Sequence, residues 1–209
     1  MSIQEWIMRR AFKFAVACVT VALVLGTAAP LAQAQSATAR AQLLALQQTN
    51  WIAEGSAHPR HIIYVFMDAN CPYCHALWLA LKPYYKMGLQ VRNILVGVIS
   101  ASSPGKAAAI FNAANPSAAL RLNERLWNHG IAAGGGIAPA AHPSAKDLRE
   151  LDHNEDLMQA FGFEGTPGLV LADSQGRILT LDGLPSRRDL GRIVLTASAL
   201  RHIALDRRH

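Results

Sequence analysis

The sequence predicts an α/β fold, a mixed sheet flanked by helices with a helical insertion. Three observations carry that reading. Ile62-Ile63-Tyr64-Val65-Phe66-Met67 is a continuous apolar run rich in β-branched residues, the pattern of a strand buried on both faces. A helical stretch opening at Cys71 leads to a second such run over Val91–Ile99, and strand–helix–strand implies a parallel pair. Far downstream, Leu169-Val170-Leu171-Ala172, the turn Asp173-Ser174-Gln175-Gly176 and the run Ile178–Leu181 read as a hairpin, which adds an antiparallel edge.

The opening segment is set apart from this domain. Arg9, Arg10 and Lys13 precede an apolar run from Phe14 to Leu25, and Ala32-Gln33-Ala34 supplies small residues at the A-x-A positions. That is the layout of a secretory leader over residues 1–34, with cleavage expected after Ala34 and export to the periplasm. The apolar run is shorter than the roughly 20 residues a membrane anchor needs. Arg9-Arg10 also loosely resembles a twin-arginine signal, and the two export routes stay open.

Removal of the leader leaves one domain of ordinary size, with 17 basic and 13 acidic residues. The basic residues are scattered apart from Arg187-Arg188 and the tail Arg201, Arg207 and Arg208. A solvated surface explains them better than nucleic acid does. Of three cysteines, Cys18 lies in the leader, so Cys71 and Cys74 alone remain, in a compartment that permits disulfides.

The remaining elements follow in order. Residues 35–59 are assigned as a linker helix, helical from Gln35 to Gly55 because Leu43, Leu44, Leu46, Trp51 and Ile52 recur at helical spacing, with His58-Pro59 closing it. The catalytic domain is expected over 60–209. Asp68-Ala69-Asn70 is a turn. The helix from Cys71 runs to about Tyr85, kinked or ended near Pro83 and closed by Gly88. Helices at Pro104–Asn112 and Pro116–Asn128 each begin near a proline. Gly134-Gly135-Gly136 through Pro139 is a loop. Ser144 caps a helix to about Phe161, with Asp147 as capping-box partner, and Ser186 opens a last helix to about Ala204. The insertion thus spans about 100–163.

Chemistry concentrates in Cys71-Pro72-Tyr73-Cys74, where a buried strand gives way to a helix. First-turn amides lack intrahelical partners and, with the helix dipole, favour an anion. Cys71 is therefore expected to ionise below the free value of about 8.5 and to act as the nucleophile toward a disulfide. Cys74, three residues on, places the two Cα atoms about 5 Å apart, inside disulfide range, so it can resolve the mixed disulfide. Three alternatives compete. A structural staple closing so short a loop contributes only about 2 kcal/mol in the chain-entropy model. Zinc needs four ligands, and one C-x-x-C supplies two. Two inert buried thiols fit poorly with export. No cofactor is called for. Thr166-Pro167, just before a strand, is a possible cis bond, though taken alone an ordinary turn.

Taken together, the strand ending Phe66-Met67-Asp68-Ala69-Asn70, then Cys71-Pro72-Tyr73-Cys74-His75, then the distant Thr166-Pro167, resemble the thioredoxin superfamily and, within it, the periplasmic disulfide isomerases of the DsbC and DsbG type. Trp51-Ile52-Ala53-Glu54-Gly55 and Leu95-Val96-Gly97-Val98 add to the likeness, which covers about Leu43 to Val194. The resemblance implies a thioredoxin-like sheet and thiol–disulfide exchange on exported proteins that carry thiols or disulfides, as isomerase or reductase, with a membrane redox partner. It implies that Pro167 is cis and packs against the disulfide, and that the Thr166 backbone pairs with the partner polypeptide. It places Asp68 near the redox helix, where turn formation is an equal reading. His75 is a candidate to stabilise the thiolate, with an exposed helix residue the simpler expectation. Such isomerases carry an amino-terminal dimerisation domain, for which the twenty-five or so residues before the first strand leave little room, so a monomer is expected. The alternative function is a redox-independent holdase, distinguished by indifference to loss of both cysteines.

Overall fold

The computed structural model describes residues 38, 40–129 and 134–199. Two compact units divide the chain, Met1–Ala41 and Gln42–His209. In the first, Thr38, Arg40 and Ala41 are helical. The leader, with Cys18 and the cleavage point after Ala34, lies outside the described residues.

Residues 42–48 are helical, but the helix expected to continue to Gly55 does not. Thr49 Oγ donates to the Leu46 carbonyl at 2.8 Å as the helix ends, and Ile52–Gly55 is strand β1. Its four residues alternate between the core (Ile52, Glu54) and the outer side. So short a run carries too little periodicity to separate strand from helix. It is an edge strand of the sheet, and the stretch assigned to a linker helix is part of the domain's own architecture there.

The sheet has five strands in the order β1-β3-β2-β4-β5, with β2 at His61–Asp68, β3 at Leu89–Val96, β4 at Gly168–Ala172 and β5 at Ile178–Asp182. β2 and β3 are parallel; β1–β3, β2–β4 and β4–β5 are antiparallel. Helix α1 (Pro72–Leu81), extended by a 3₁₀ turn over Lys82–Met87, makes the crossover between β2 and β3. The single helix expected to Tyr85 tightens at Pro83, and Gly88 ends the segment in the left-handed region at φ 92°.

Successive residues of β2 point to opposite faces, and both faces are dry. Ile63, Val65 and Met67 join Leu77 and Leu81 of α1 and the terminal helix, whereas Tyr64 and Phe66 join Leu46, Met158 and Phe163. Each such fully buried side chain contributes about 1.5–3 kcal/mol from water exclusion, which fixes the strand end from which the site projects.

Among the described residues, three helices separate β3 from β4: α2 (Ser103–Phe111), α3 (Pro116–Arg125) and α4 (Ala145–Ala160). Asn115 caps α3 by accepting from the Ala118 amide at 2.9 Å. The Ser144–Asp147 capping box starts α4 as read from the sequence, with the Ser144 amide donating to Asp147 Oδ2 at 2.8 Å and the Asp147 amide to Ser144 Oγ at 3.2 Å. The last helix, α5 (Arg187–Thr196), starts at its Ser186 cap and stops short of the expected Ala204, because Ala197 turns extended and residues 198 and 199 bond back to Ala172 and Arg60. Residues beyond 199 are outside the described set.

Candidate active site

β2 ends at Asp68, and the chain turns through Ala69-Asn70 into Cys71, the cap residue of α1. Asp68 closes the turn twice: its carbonyl accepts the Cys71 amide at 3.1 Å and its carboxylate accepts the Asn70 amide at 2.8 Å. The same buried carboxylate accepts from the Val98 and Ile99 amides, at 2.8 and 3.0 Å, and from Ser103 Oγ at 2.7 Å. Asp68 therefore organises the turn and the segment leaving β3. Asn70 extends this network, donating to Ser100, Ser102 and Ser103 and accepting from Lys106 Nζ at 2.7 Å.

Cys71 is extended, at φ −81° and ψ 117°, and its sulfur accepts the Cys74 amide at 3.2 Å. On its other side the thiol donates to the Thr166 carbonyl at 3.2 Å. The Thr166–Pro167 peptide picked out in the sequence is cis, and it meets the dithiol because β4, which follows it, pairs with β2. Thr166 Oγ1 is buried and without a hydrogen-bond partner. Pro72 and Tyr73 project to solvent, Tyr73 with 63% of its surface exposed.

Both thiols are buried, yet they differ electrostatically. Cys71 is pulled down to about 6, chiefly by its hydrogen bond with the Cys74 side chain, against the upward effect of burial and with further help from the Cys74 and Tyr73 amides. Burial first, and then its neighbour Cys71, hold the Cys74 thiol far above the ordinary range. One sulfur is thus disposed to attack and the other to keep its proton.

His75 is not the exposed helix residue expected. It is 9% exposed, and its Nδ1 shares a proton with Glu124 Oε2 of α3 across 2.8 Å. Its ring stacks on Trp127 with centroids 4.5 Å apart, so the insertion covers this face of α1. Burial pushes the imidazole down and the Glu124 carboxyl up to about 7, so the pair is held away from charge. Next to it, Trp78 Nε1 donates to Glu54 Oε2 of β1 at 2.7 Å, and Glu54 too is raised to about 7 by burial. Lys82 Nζ lies 3.4 Å from the centre of the Trp78 ring.

Glu54, Asn123 and Glu124 were not picked out from the sequence. A signal for the last two was present: Leu120, Asn123 and Glu124 fall at i, i+3 and i+4 on the inward face of α3, so two polar residues stand where the core belongs.

A family model described as thioredoxin-like domain matches residues 49–197. The thiol:disulfide interchange protein DsbG of Pseudomonas aeruginosa is 31% identical over 150 residues, 71% of this chain and 57% of that protein. DsbG of Escherichia coli is 32% identical over 152 residues, 71% of this chain and 58% of its own length. The chain thus spans somewhat over half the length of these curated relatives. Among solved structures, a periplasmic thioredoxin-like protein from Salmonella enterica serovar Typhimurium superposes with a TM-score of 0.58 at 21% identity, covering 74% of this chain and 94% of that one, a likeness of fold. A dithiol that opens the helix after a central strand, faced by a cis proline at the start of the next strand, sits on a sheet that the family model spans end to end; the chain belongs to the thioredoxin-like domain family.

Proposed function

We propose that this chain is a thiol–disulfide oxidoreductase that acts on exported proteins as isomerase or reductase through Cys71 and Cys74. One observation carries the reading: the Cys71 sulfur lies at a helix start, 3.2 Å from the Cys74 amide and 3.2 Å from the carbonyl of the cis Thr166–Pro167 bond. In the proposed reaction the Cys71 thiolate attacks a substrate disulfide, forming a mixed disulfide and releasing one substrate thiolate. Cys74 loses its proton and attacks Cys71, leaving the Cys71–Cys74 disulfide and a second substrate thiol. Two electrons pass to the substrate, and an external thiol or dithiol restores the enzyme.

Pro72 and Tyr73 line the approach, the Thr166 backbone pairs with the substrate chain beside Pro167, and Asp68 and His75 support the motif from behind. The likeness to the DsbG thiol:disulfide interchange proteins favours this activity and a periplasmic location, with residues 1–34 as leader, a catalytic domain that takes in β1 ahead of the expected start at residue 60, and a membrane redox partner. Among the described residues no helix is long and apolar enough to cross a membrane. Insulin reduction and refolding of scrambled ribonuclease test the proposal: wild-type protein turns over, Cys71→Ala does not, and equal rates for the two sink it.

A further inference from the structure

Asn123 and Glu124 are adjacent on α3, 0% and 1% exposed, and their side chains end on opposite sides of the redox motif. Asn123 Nδ2 donates to the Ala69 carbonyl at 3.0 Å, two residues before Cys71. Glu124 Oε2 meets His75 Nδ1 at 2.8 Å, one residue after Cys74. The two are tied to each other, because Asn123 Nδ2 also reaches Glu124 Oε1 at 3.1 Å.

The glycine run flagged in the sequence completes the arrangement. The Gly135 amide also donates to the Ala69 carbonyl, at 3.0 Å, and the Gly136 amide to the Asn123 carbonyl at 2.9 Å. A side chain on Gly135 would collide with the Asn123 amide, and one on Gly136 with Leu126. The loop lies this close only because it carries no Cβ there.

These residues serve by their hydrogen bonds, to which the Ile137 amide adds one by donating to Asn123 Oδ1 at 3.3 Å. An apolar side chain at either position would seat α3 without the desolvation that a buried amide and carboxyl incur, and a buried polar group left unpaired costs about 1–3 kcal/mol. Resting on the reading of Cys71 and Cys74 as an exchanging pair, we propose that Asn123 and Glu124 form a positioning bracket that fixes Ala69 ahead of Cys71 and His75 behind Cys74, so that the first-turn amides of α1 stay aimed at the Cys71 sulfur.

The link to reactivity is short. The His75 amide donates to the Cys71 carbonyl at 3.1 Å, so turning His75 turns the cap that presents the sulfur. The Ala69 carbonyl anchors the turn that delivers Cys71 to the helix. The surrounding charges are few: Lys82 and Glu54 lie within electrostatic reach of Glu124, Arg121 faces Glu54 at 4.0 Å, and His129 sits edge-on to His75.

The test compares wild type with Glu124→Ala, Asn123→Ala and Glu124→Gln in the full chain, reading the pH profile of Cys71 alkylation by iodoacetamide and the equilibrium constant with glutathione. Glu124→Ala and Asn123→Ala raise the alkylation midpoint by about half a pH unit or more, roughly a threefold loss of thiolate on the acid side, and make the pair less oxidising. Glu124→Gln, which keeps an oxygen facing His75, restores both readouts to within about twofold of wild type. If Glu124→Ala does not fold, His75→Phe keeps the stacking on Trp127, deletes the Nδ1 bond and produces the same shifts. Variants that lose thermal stability while midpoint and glutathione constant stay at wild-type values overturn the proposal and leave fold support as the only role. Inert wild-type protein in insulin reduction would instead overturn the exchange reading, and the alkylation profile would still decide whether the bracket tunes the thiol.

Discussion

The Cys74 amide donates to the Cys71 sulfur across 3.2 Å, although burial denies Cys74 an ionised thiol of its own. The backbone of the second cysteine thus stabilises the anion of the first. Iodoacetamide is expected to label Cys71 of the reduced protein with a midpoint near pH 6 and to leave Cys74 unmodified. Cys71→Ser removes the fast labelling, and Cys74→Ser accumulates a mixed disulfide with substrate, readable by mass. A labelling midpoint near that of free cysteine, about 8.5, would end the account of an activated thiol.

The same shift makes the stability of the reduced protein depend on pH. A thiol whose folded pKa is depressed contributes stability that is present above its unfolded pKa and lost as pH falls through about 6. Cys74, with its pKa raised, acts in the opposite direction, but only above the ordinary thiol range. Between pH 6 and 8.5 the melting temperature of the reduced form is therefore expected to rise relative to the oxidised form, in which neither sulfur titrates. Parallel melting curves for the two forms across that window contradict this.

In the oxidised protein the thiols no longer titrate, which leaves two buried carboxyls working against one buried imidazole, His75, whose lowered pKa acts in the opposite direction. Glu54 and Glu124 are held up to about 7 by burial, against 4.5 for the free group. Groups with a raised folded pKa contribute stability that is complete below the unfolded value and lost as pH rises through the folded one. Oxidised wild type is expected to lose melting temperature between pH 4.5 and 7.5, and the double variant Glu54→Gln, Glu124→Gln to show a flatter profile over that interval. Thermal melts at four or five pH values check it, and an unchanged slope in the double variant refutes it.

The order of elements was legible because β2, β3 and the hairpin carry long apolar runs bounded by glycine, proline and capping residues, and because Cys71 opens a helix at a strand end. β1 was not, since four residues cannot declare a period and Trp51-Ile52 happened to continue the spacing of Leu43, Leu44 and Leu46. The dithiol and Thr166-Pro167 were readable as residue types, but their meeting 95 positions apart is a property of β4 lying beside β2. His75 was misplaced for a related reason: the periodicity of α1 alone shows one apolar face, whereas α3 and Trp127 cover a second. Partners of buried polar groups come from other elements, so Glu54 was visible only as an acidic residue, and Glu124 only as a polar residue in the apolar stripe of α3, with nothing to say that it meets His75.

Gly168 follows Pro167 directly and faces Phe163, whose ring atoms lie 2.6–2.9 Å from where a Cβ would stand. Gly168→Ala is expected to displace the ring or the start of β4, at a cost of about 1–3 kcal/mol. Because Phe163 packs on Phe66 with centroids 6.0 Å apart, the displacement is shared with the core behind β2. Urea unfolding reads the stability loss, and slower alkylation of Cys71 reads the shift of the Thr166 carbonyl. Wild-type values for both would show that the strand start tolerates the methyl group.

Trp78→Phe tests the β1 carboxyl, Glu54, that meets the redox helix. The indole donates to Glu54 Oε2 at 2.7 Å and carries Lys82 Nζ 3.4 Å from its ring centre. Phenylalanine fills most of the same volume but brings no donor, leaving a buried carboxylate oxygen short of a partner, for about 1–3 kcal/mol. Losing the donor raises the folded Glu54 pKa above the wild-type value of about 7 and leaves the unfolded value unchanged, so the added instability is small where the folded carboxyl is protonated with or without the indole and full where the folded wild-type carboxyl is ionised. Urea unfolding at pH 5 and at pH 8.5 is expected to show the larger difference from wild type at pH 8.5. Equal losses at the two values would mean that Trp78 stabilises the fold by packing and that its hydrogen bond to Glu54 contributes nothing measurable.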